Sequence, residues 1–201
     1  MKKTLTMTAA ALATAIGLAG CSAGSGSSNM PGMNHGSVPA SSSGSAVGIT
    51  GEHNAVDAAF ARMMIPHHAQ AVQMSDMVLA KKDIPAPVNA LAGRIKAAQG
   101  PEIEKMRGWL KDWNEPAEMS GEHMMDGMMG DDDMKTLMAS QGLEAARLFL
   151  TQMIAHHQGA VVMAQKESND GKNTDALKLG KDIVSAQEAE IKEMNELLGT
   201  L

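Results

Sequence analysis

Two copies of one short methionine and histidine pattern carry the side chains of this sequence most suited to binding a metal ion. Each copy places a methionine just ahead of a His-His pair, at Met64, His67, His68 and at Met153, His156, His157. Thioether sulfur and imidazole nitrogen are soft to borderline donors, which favour copper, above all Cu(I) but also Cu(II), over magnesium or calcium. A Met and a His at i and i+4 lie on the same side of a helix. The pattern therefore predicts copper ligands.

The same residue types recur in loop-like sequence, where packing in a core cannot explain them. They are Met30, Met33 and His35 in a Gly/Ser tract, and His123, Met124, Met125, Met128 and Met129 in an Asp/Gly-rich stretch. We expect these side chains to be further copper ligands. The acidic run Asp131 to Asp133 adds hard oxygen donors that could accept Cu(II) or zinc. The alternative is that exposed methionines scavenge oxidants or reflect low complexity.

An internal repeat indicates which elements position the His-His pairs. The segment from Phe60 to Met74 aligns with the segment from Phe149 to Met163, and Ile95 to Leu110 aligns with Ile183 to Leu198. Both blocks have apolar residues at the helical period of 3.6, so each predicts an amphipathic helix. Short connections at 83–87 and 169–173 make each pair of helices an antiparallel hairpin. Two hairpins predict an all-α four-helix bundle.

The bundle should have one core and an irregular connection between its halves. The expected core residues are Phe60, Met74, Ile95, Met106, Leu110, Phe149, Met163, Ile183, Met194 and Leu198. We divide the domain into a first hairpin at 51–114, a Met/Asp-rich linker at 115–133, and a short helix plus second hairpin at 134–201. Met74 and Met163 fit core packing, although their thioethers could also bind metal.

Polar residues on the buried stripes need partners. Counted from the hairpin turns, His67 lies level with Glu102, and His156 lies level with Glu190. An unpartnered buried charge is very costly. These groups are therefore either structural His–Glu hydrogen bonds, with Gln99 and Gln187 as neighbours, or metal ligands with their supporting residues. His68 and His157 project toward the edge of each stripe.

The N-terminal part of the chain predicts export and a membrane anchor. Residues 1–20 have a basic start followed by a moderately apolar stretch typical of a signal peptide. Leu18-Ala19-Gly20-Cys21 resembles a lipobox, in which Cys21 becomes the lipidated first residue of the mature lipoprotein. Residues 21–50 predict a flexible tether, ahead of the domain at 51–201. The protein would then face the periplasm or the cell exterior.

The doubled Met-x-x-His-His-x-x-Ala-x-x-Met pattern, each copy followed by Gln-x-x-Glu, resembles the family known as domain of unknown function 305. The resemblance covers residues 51–201 and implies a ferritin-like helical fold. It also implies an exported bacterial protein, because similar members are exported by bacteria. Some of these members are linked to copper binding and tolerance. The family motif corresponds here to Met64, His67, His68, Met74, Met153, His156, His157 and Met163. One acidic position departs from the pattern, because Asp57 in the first unit is Ala146 in the second.

These observations predict an extracytoplasmic copper-binding protein for sequestration, delivery or tolerance rather than an enzyme. Its partners would be copper ions, the membrane through Cys21, and a copper-transport or chaperone protein. Nucleic acid is disfavoured by the formal net charge of −6. One alternative is a carboxylate/His di-metal oxidase, although neither repeat contains the Glu-x-x-His pattern of that class. The other is a structural or signalling bundle without metal.

Overall fold

A computed structural model describes residues 51–118 and 125–201 of the chain. The predicted signal peptide and tether therefore lie outside the described residues. So do six residues singled out above, which are Cys21, Met30, Met33, His35, His123 and Met124.

Five α-helices make up the described part of the chain, which contains no strand. They are α1 (Ala55–Leu79), α2 (Ala86–Asp112), α3 (Asp131–Ala139), α4 (Gly142–Asp170) and α5 (Thr174–Thr200). The predicted all-α class is confirmed. None of these five helices is apolar over a long enough stretch to cross a membrane.

The four long helices form two antiparallel hairpins that pack side by side. Helix α1 pairs with α2, α4 pairs with α5, and α1 also packs against α4. The ion pair between Arg94 and Glu193 joins α2 to α5. In the first hairpin, Lys96 bonds Asp76 near the turn while Glu102 bonds His68 further from it, as antiparallel helices require.

The helix starts follow from capping residues. Asn54 caps α1 by accepting hydrogen bonds from the backbone N–H groups of Val56 and Asp57, and the Asp57 carboxylate accepts from the Asn54 N–H in return. Asn173 caps α5 in a similar way, through the N–H groups of Asp175 and Ala176. Each cap satisfies donors that the first helical turn leaves without partners.

Helix α3 begins at Asp131, earlier than the boundary expected at Met134, so the linker ends at Gly130. Three consecutive aspartates favour the positive end of the helix dipole, and the Asp133 carboxylate accepts from the Gly130 N–H at 3.2 Å. Asp131 to Asp133 are exposed in the first turn of a helix. The interpretation of this acidic run as loop sequence was wrong.

The apolar core consists of two clusters rather than the single core that was expected. The first cluster includes Met74, Ile95, Phe149, Met153 and Met194. The second cluster includes Phe60, Met64, Met106, Leu110 and Ile183. Of the ten predicted core residues, Met163 and Leu198 are partly buried against these clusters, and the other eight are buried.

Polar residues from all four long helices separate the two clusters. We call this the histidine layer, and it comprises His67, His68, Gln99, His156, His157 and Gln187, all buried. On α1 the layer lies between Met64 of the second cluster and Ala71 of the first, and on α4 between Met153 and Ala160. Imidazole and amide groups at one level interrupt the apolar contacts, which explains why the core is divided.

Candidate metal centre

Two imidazole rings meet at the middle of the histidine layer, one from each half of the repeat. The ring centroids of His67 and His156 are 3.8 Å apart and the ring planes are tilted by 38°. Neither side chain has any solvent exposure. None of their four ring nitrogens forms a hydrogen bond of good geometry among the described residues, although the Asp126 backbone carbonyl lies near the His67 ring. Buried polar groups nearly always have partners, so these nitrogens are available to a buried water or to a metal ion.

Both rings are neutral at ordinary pH. Burial, together with the repulsion that a protonated ring would feel from His68 and His157, lowers the pKa of His67 from 6.5 to about 3. The backbone carbonyl of Asp126 lies near the His67 ring and opposes this shift. Burial, together with the same kind of repulsion from His67, His157 and His68, lowers the pKa of His156 from 6.5 to about 2. A neutral imidazole keeps a lone pair on one nitrogen, which is the form that binds a metal ion.

The other two histidines each bind a glutamate from the neighbouring helix of their hairpin. His68 Nε2 is 2.8 Å from Glu102 Oε2, and His157 Nε2 is 2.7 Å from Glu190 Oε2. The expected pairing of His67 with Glu102 and of His156 with Glu190 was therefore wrong.

The position of His68 and His157 at the edge of the stripe was also wrong, because both rings are fully buried. The reason is that α1 and α4 each border two helices. Helix α1 turns His67 toward α4 and His68 toward α2, so adjacent residues are buried on different faces. Height along one hairpin does not distinguish these two faces, which is why the carboxylate was expected at the wrong ring.

The glutamates orient the rings that they contact. A neutral ring that donates from Nε2 to a carboxylate carries its lone pair on Nδ1. Nδ1 of His68 and Nδ1 of His157 are both buried and have no hydrogen-bond partner in the described structure. A carboxylate behind a histidine is the usual arrangement around metal-binding imidazoles, since it sets the tautomer and raises the basicity of the ring.

Two glutamines complete the layer. Gln99 and Gln187 occupy equivalent positions on α2 and α5, and each is 3% exposed. The side-chain oxygen Oε1 of each amide is buried and unpartnered among the residues described. The layer thus contains eight buried polar atoms in matching pairs that lack hydrogen bonds, which is far more than close packing alone would tolerate.

Sulfur donors lie on both sides of the layer. Met64 and Met153 are fully buried, about one helical turn from His67 and His156 respectively, and they belong to opposite clusters. Met74 is buried in the first cluster and Met163 is partly buried against the second. Met125, Met128 and Met129 of the linker are half-buried. Met129 packs on the first cluster, so this loop residue contributes packing that the sequence did not indicate.

The described residues contain no group of three or more His, Cys, Asp or Glu side chains arranged around one point. The available donors are therefore imidazole nitrogens in a pair, with thioether sulfurs nearby. Such a soft, low-coordinate set fits Cu(I) better than it fits ions that need several oxygen ligands.

A buried acid pair at the end of the bundle was missed by the sequence reasoning. Asp57 accepts from the N–H groups of Asn54, Lys172 and Asn173, and these bonds hold its pKa below the ordinary value although burial alone would raise it. Burial beside Asp57 raises the pKa of Glu167 to about 8. Glu167 continues the stripe of His156 and Ala160 along α4, a signal that could have identified it.

The Asp57 carboxylate holds the α4–α5 turn through the N–H groups of Lys172 and Asn173, and the acid pair is separate from the histidine layer. In the repeat, Asp57 corresponds to Ala146 and Glu167 corresponds to Val78, and both of those residues are buried in the first cluster. At the opposite end of the bundle, Ala146 and Val78 therefore make apolar contacts where Asp57 and Glu167 form the polar pair.

A duplicated helical bundle with paired histidines between two apolar clusters defines the class of this protein. The family model of DUF305, a domain of unknown function, matches residues 57–198. The chain belongs to this family. A solved DUF305 protein from Streptomyces coelicolor, described as secreted, has 36% identity and a TM-score of 0.69, over 72% of this chain and 93% of that one.

Two further solved structures are similar. A DUF305 fragment from Deinococcus radiodurans has 29% identity and a TM-score of 0.67, over 75% of this chain and all of that one (100%). CopM in its Cu(II)-bound form has 34% identity and a TM-score of 0.62, over 72% of this chain and 96% of that one. CopM has also been solved in a Cu(I)-bound form. No curated protein matches this chain.

Proposed function

We propose that this protein is an exported copper-binding protein that sequesters or passes on copper, with His67 and His156 as the central ligands. The observation that carries the proposal is the contact of these two buried rings, whose four nitrogens have no hydrogen-bond partner in the described structure. Buried polar groups that lack a bonding partner destabilise the fold. A metal ion bound at the pair would bond one nitrogen of each ring, because each neutral imidazole offers one lone pair.

The residues around the pair have supporting roles. His68 and His157 offer buried Nδ1 atoms and are oriented by Glu102 and Glu190. Met64 and Met153 offer thioethers on either side of the layer. Gln99 and Gln187 line it without charge, which suits a soft monovalent cargo. Met74 and Met163 are further candidate ligands, more distant along the same helices.

Copper is the cargo that the relatives support. CopM, at 33% and 34% identity in two of its forms, has been solved with Cu(I) and with Cu(II) bound. This chain shares its fold and carries a donor set of imidazole and thioether. The donor chemistry favours Cu(I) as the resident state, with Cu(II) as a second state.

The remaining parts of the chain extend this function. Lipidation at Cys21 would hold the protein at a membrane surface, and the tether would let the bundle reach a copper-transport or chaperone protein. Thioethers at Met30, Met33, Met124, Met125, Met128 and Met129, with His35 and His123, would form weaker exchanging sites. Binding rather than turnover is the task that this arrangement supports.

Neither alternative function has a comparable observation in its favour. A di-metal oxidase needs carboxylates that bridge two metal ions, and here Glu102 and Glu190 each bind a separate histidine ring. A purely structural bundle would have no reason to keep eight unpartnered polar atoms in its middle.

The test is a Cu(I) competition titration of the full-length chain against a Cu(I)-specific chelator. The variant carries His67→Leu and His156→Leu, and the matched control carries His53→Leu. His53 is an imidazole outside the layer that stacks on Trp113 at 4.6 Å. We expect the double variant to lose its tightest Cu(I) ion and the control to keep it. Equal affinity in all three proteins would overturn the proposal.

A further inference from the structure

The last part of the linker is fixed to the bundle beside the histidine layer. We call residues 125–130 the docked loop. The Gln70 side chain on α1 donates from Nε2 to the Met129 carbonyl at 2.9 Å, and its Oε1 accepts from the Met129 N–H at 2.8 Å. One amide thus satisfies both backbone groups of one loop residue. Such a two-point bond fixes position as well as distance.

On the other side, the loop rests on α4 in van der Waals contact. A Cβ atom at Gly159 would lie 1.9 Å from the Asp126 carbonyl oxygen, so no other residue allows this approach. Gly127 has φ +83°, and a Cβ there would lie 2.6 Å from the Ala155 carbonyl oxygen. Both sides of the contact therefore require glycine.

The two anchor positions are equivalent in the repeat. Gln70 follows His67 at the same spacing as Gly159 follows His156. The bundle has two repeats but one linker between them, and the two equivalent positions form the two halves of one docking site. Gln70 supplies an amide that forms hydrogen bonds to the loop, and Gly159 has no side chain, which leaves space for the loop backbone. The loop thereby spans α1 and α4 next to the pair of rings they bring together.

The docked loop has fewer apolar contacts than the helices around the layer. The helices are held by two apolar clusters, whereas the loop is held by the Gln70 bonds, the contact at Gly159 and the packing of Met129. Segments with few buried apolar contacts open at a lower free energy than packed helices do. His67 and His156 have no solvent exposure, so an ion must pass a barrier to reach them. The Asp126 carbonyl already lies beside the His67 ring.

Building on the proposed function, we propose that the docked loop is the cover of the copper site and that Gln70, Gly127 and Gly159 are its positioning residues. Opening of the loop sets the rate at which Cu(I) enters and leaves the His67–His156 pair. The cover itself carries the half-buried Met125 and Met128, whose thioethers offer an exchange point for the ion.

The experiment measures Cu(I) transfer from the loaded full-length chain to a chelator by stopped flow, for the wild type, Gln70→Ala and Gly159→Ala. The matched control is Gly93→Ala, since Gly93 also lies in a helix and a Cβ there meets nothing within 4 Å. Losing both Gln70 bonds or displacing the loop should speed release by about tenfold or more. Release from the control should be unchanged. Backbone amide exchange at Met129 should accelerate in both loop variants.

Two outcomes separate this inference from the proposed function. Faster release in both loop variants, with the His67→Leu/His156→Leu protein unable to hold the ion, supports both. Release at the wild-type rate from Gln70→Ala and Gly159→Ala, while the histidine variant still loses the ion, overturns the cover and leaves the copper site intact. Should Gly159→Ala fail to fold, Gln70→Ala decides, because truncating that partly exposed side chain introduces no collision.

Discussion

Replacing His67 and His156 together with leucine is expected to stabilise the metal-free protein, although the same change removes the proposed copper ligands. Leucine is similar in size to histidine and needs no hydrogen bond. Each ring currently buries two nitrogens without a partner among the described residues. A buried polar group left unsatisfied costs about 1–3 kcal/mol.

The magnitude follows from these two rings. Taking the middle of that range and one uncompensated group per ring, the double change removes a penalty of about 4 kcal/mol. Imperfect packing of the new side chains returns up to about 1.5 kcal/mol per site, or about 3 kcal/mol for both. The net gain in the free energy of unfolding is therefore about 1 kcal/mol, and more where the leucines pack well. Each kcal/mol corresponds to about 2–4 °C in Tm for a domain of this size.

The comparison variant carries His68→Leu and His157→Leu. These changes strand Glu102 and Glu190, whose side chains are 24% and 20% exposed and so only partly rehydrated. We expect a loss of about 1 kcal/mol or more per site. The assay is urea unfolding of both double variants and the wild type with a chelator present. A loss of stability in the His67/His156 variant as large as that in the His68/His157 variant would refute the argument from unpartnered rings.

Two further predictions concern the acid pair and the loop. Glu167 has a pKa of about 8 in the folded protein, against an ordinary value of 4.5. Its contribution to the free energy of unfolding is therefore full below pH 4.5. That contribution declines by up to about 1.4 kcal/mol per pH unit as the pH rises to 8. Glu167→Gln should abolish this decline. The measurement is the difference in free energy of unfolding between the wild type and the variant from pH 5 to 8, because the difference cancels the opposite effect of the histidines. Parallel pH curves would contradict the assignment. Met125→Leu with Met128→Leu should lower the number of Cu(I) ions bound while Tm stays within about 2 °C, because leucine preserves the packing of half-buried positions. An unchanged copper count by metal analysis would exclude these thioethers as ligands.

The helices could be predicted from the sequence because their signals are local. Apolar residues at a period of 3.6, the repeat, and short polar connections define four long helices and their pairing into hairpins. The N-terminal boundary of α3 was harder to predict, because a run of aspartates is typical both of loops and of a first helical turn. Here the Asp133 carboxylate accepts a capping hydrogen bond from the Gly130 N–H, which favours the helix.

The arrangement within the site depends on contacts between the hairpins, which no local pattern reports. Height along a hairpin places His67 and His68 equally near Glu102, and only the packing of α1 against α4 decides that His67 faces His156. The docked loop is a second such case. Gly159 could be identified as a close approach only once the Asp126 carbonyl was placed against it.

The central claim is that copper binds between His67 and His156, and X-ray absorption at the copper edge of the Cu(I)-loaded full-length chain tests it most directly. Imidazole ligands produce a multiple-scattering signature that thioether sulfurs lack. We predict two imidazole nitrogens in the wild-type spectrum and their loss in the His67→Leu/His156→Leu variant. A wild-type spectrum with sulfur ligands alone, or one that the double variant leaves unchanged, would contradict the claim.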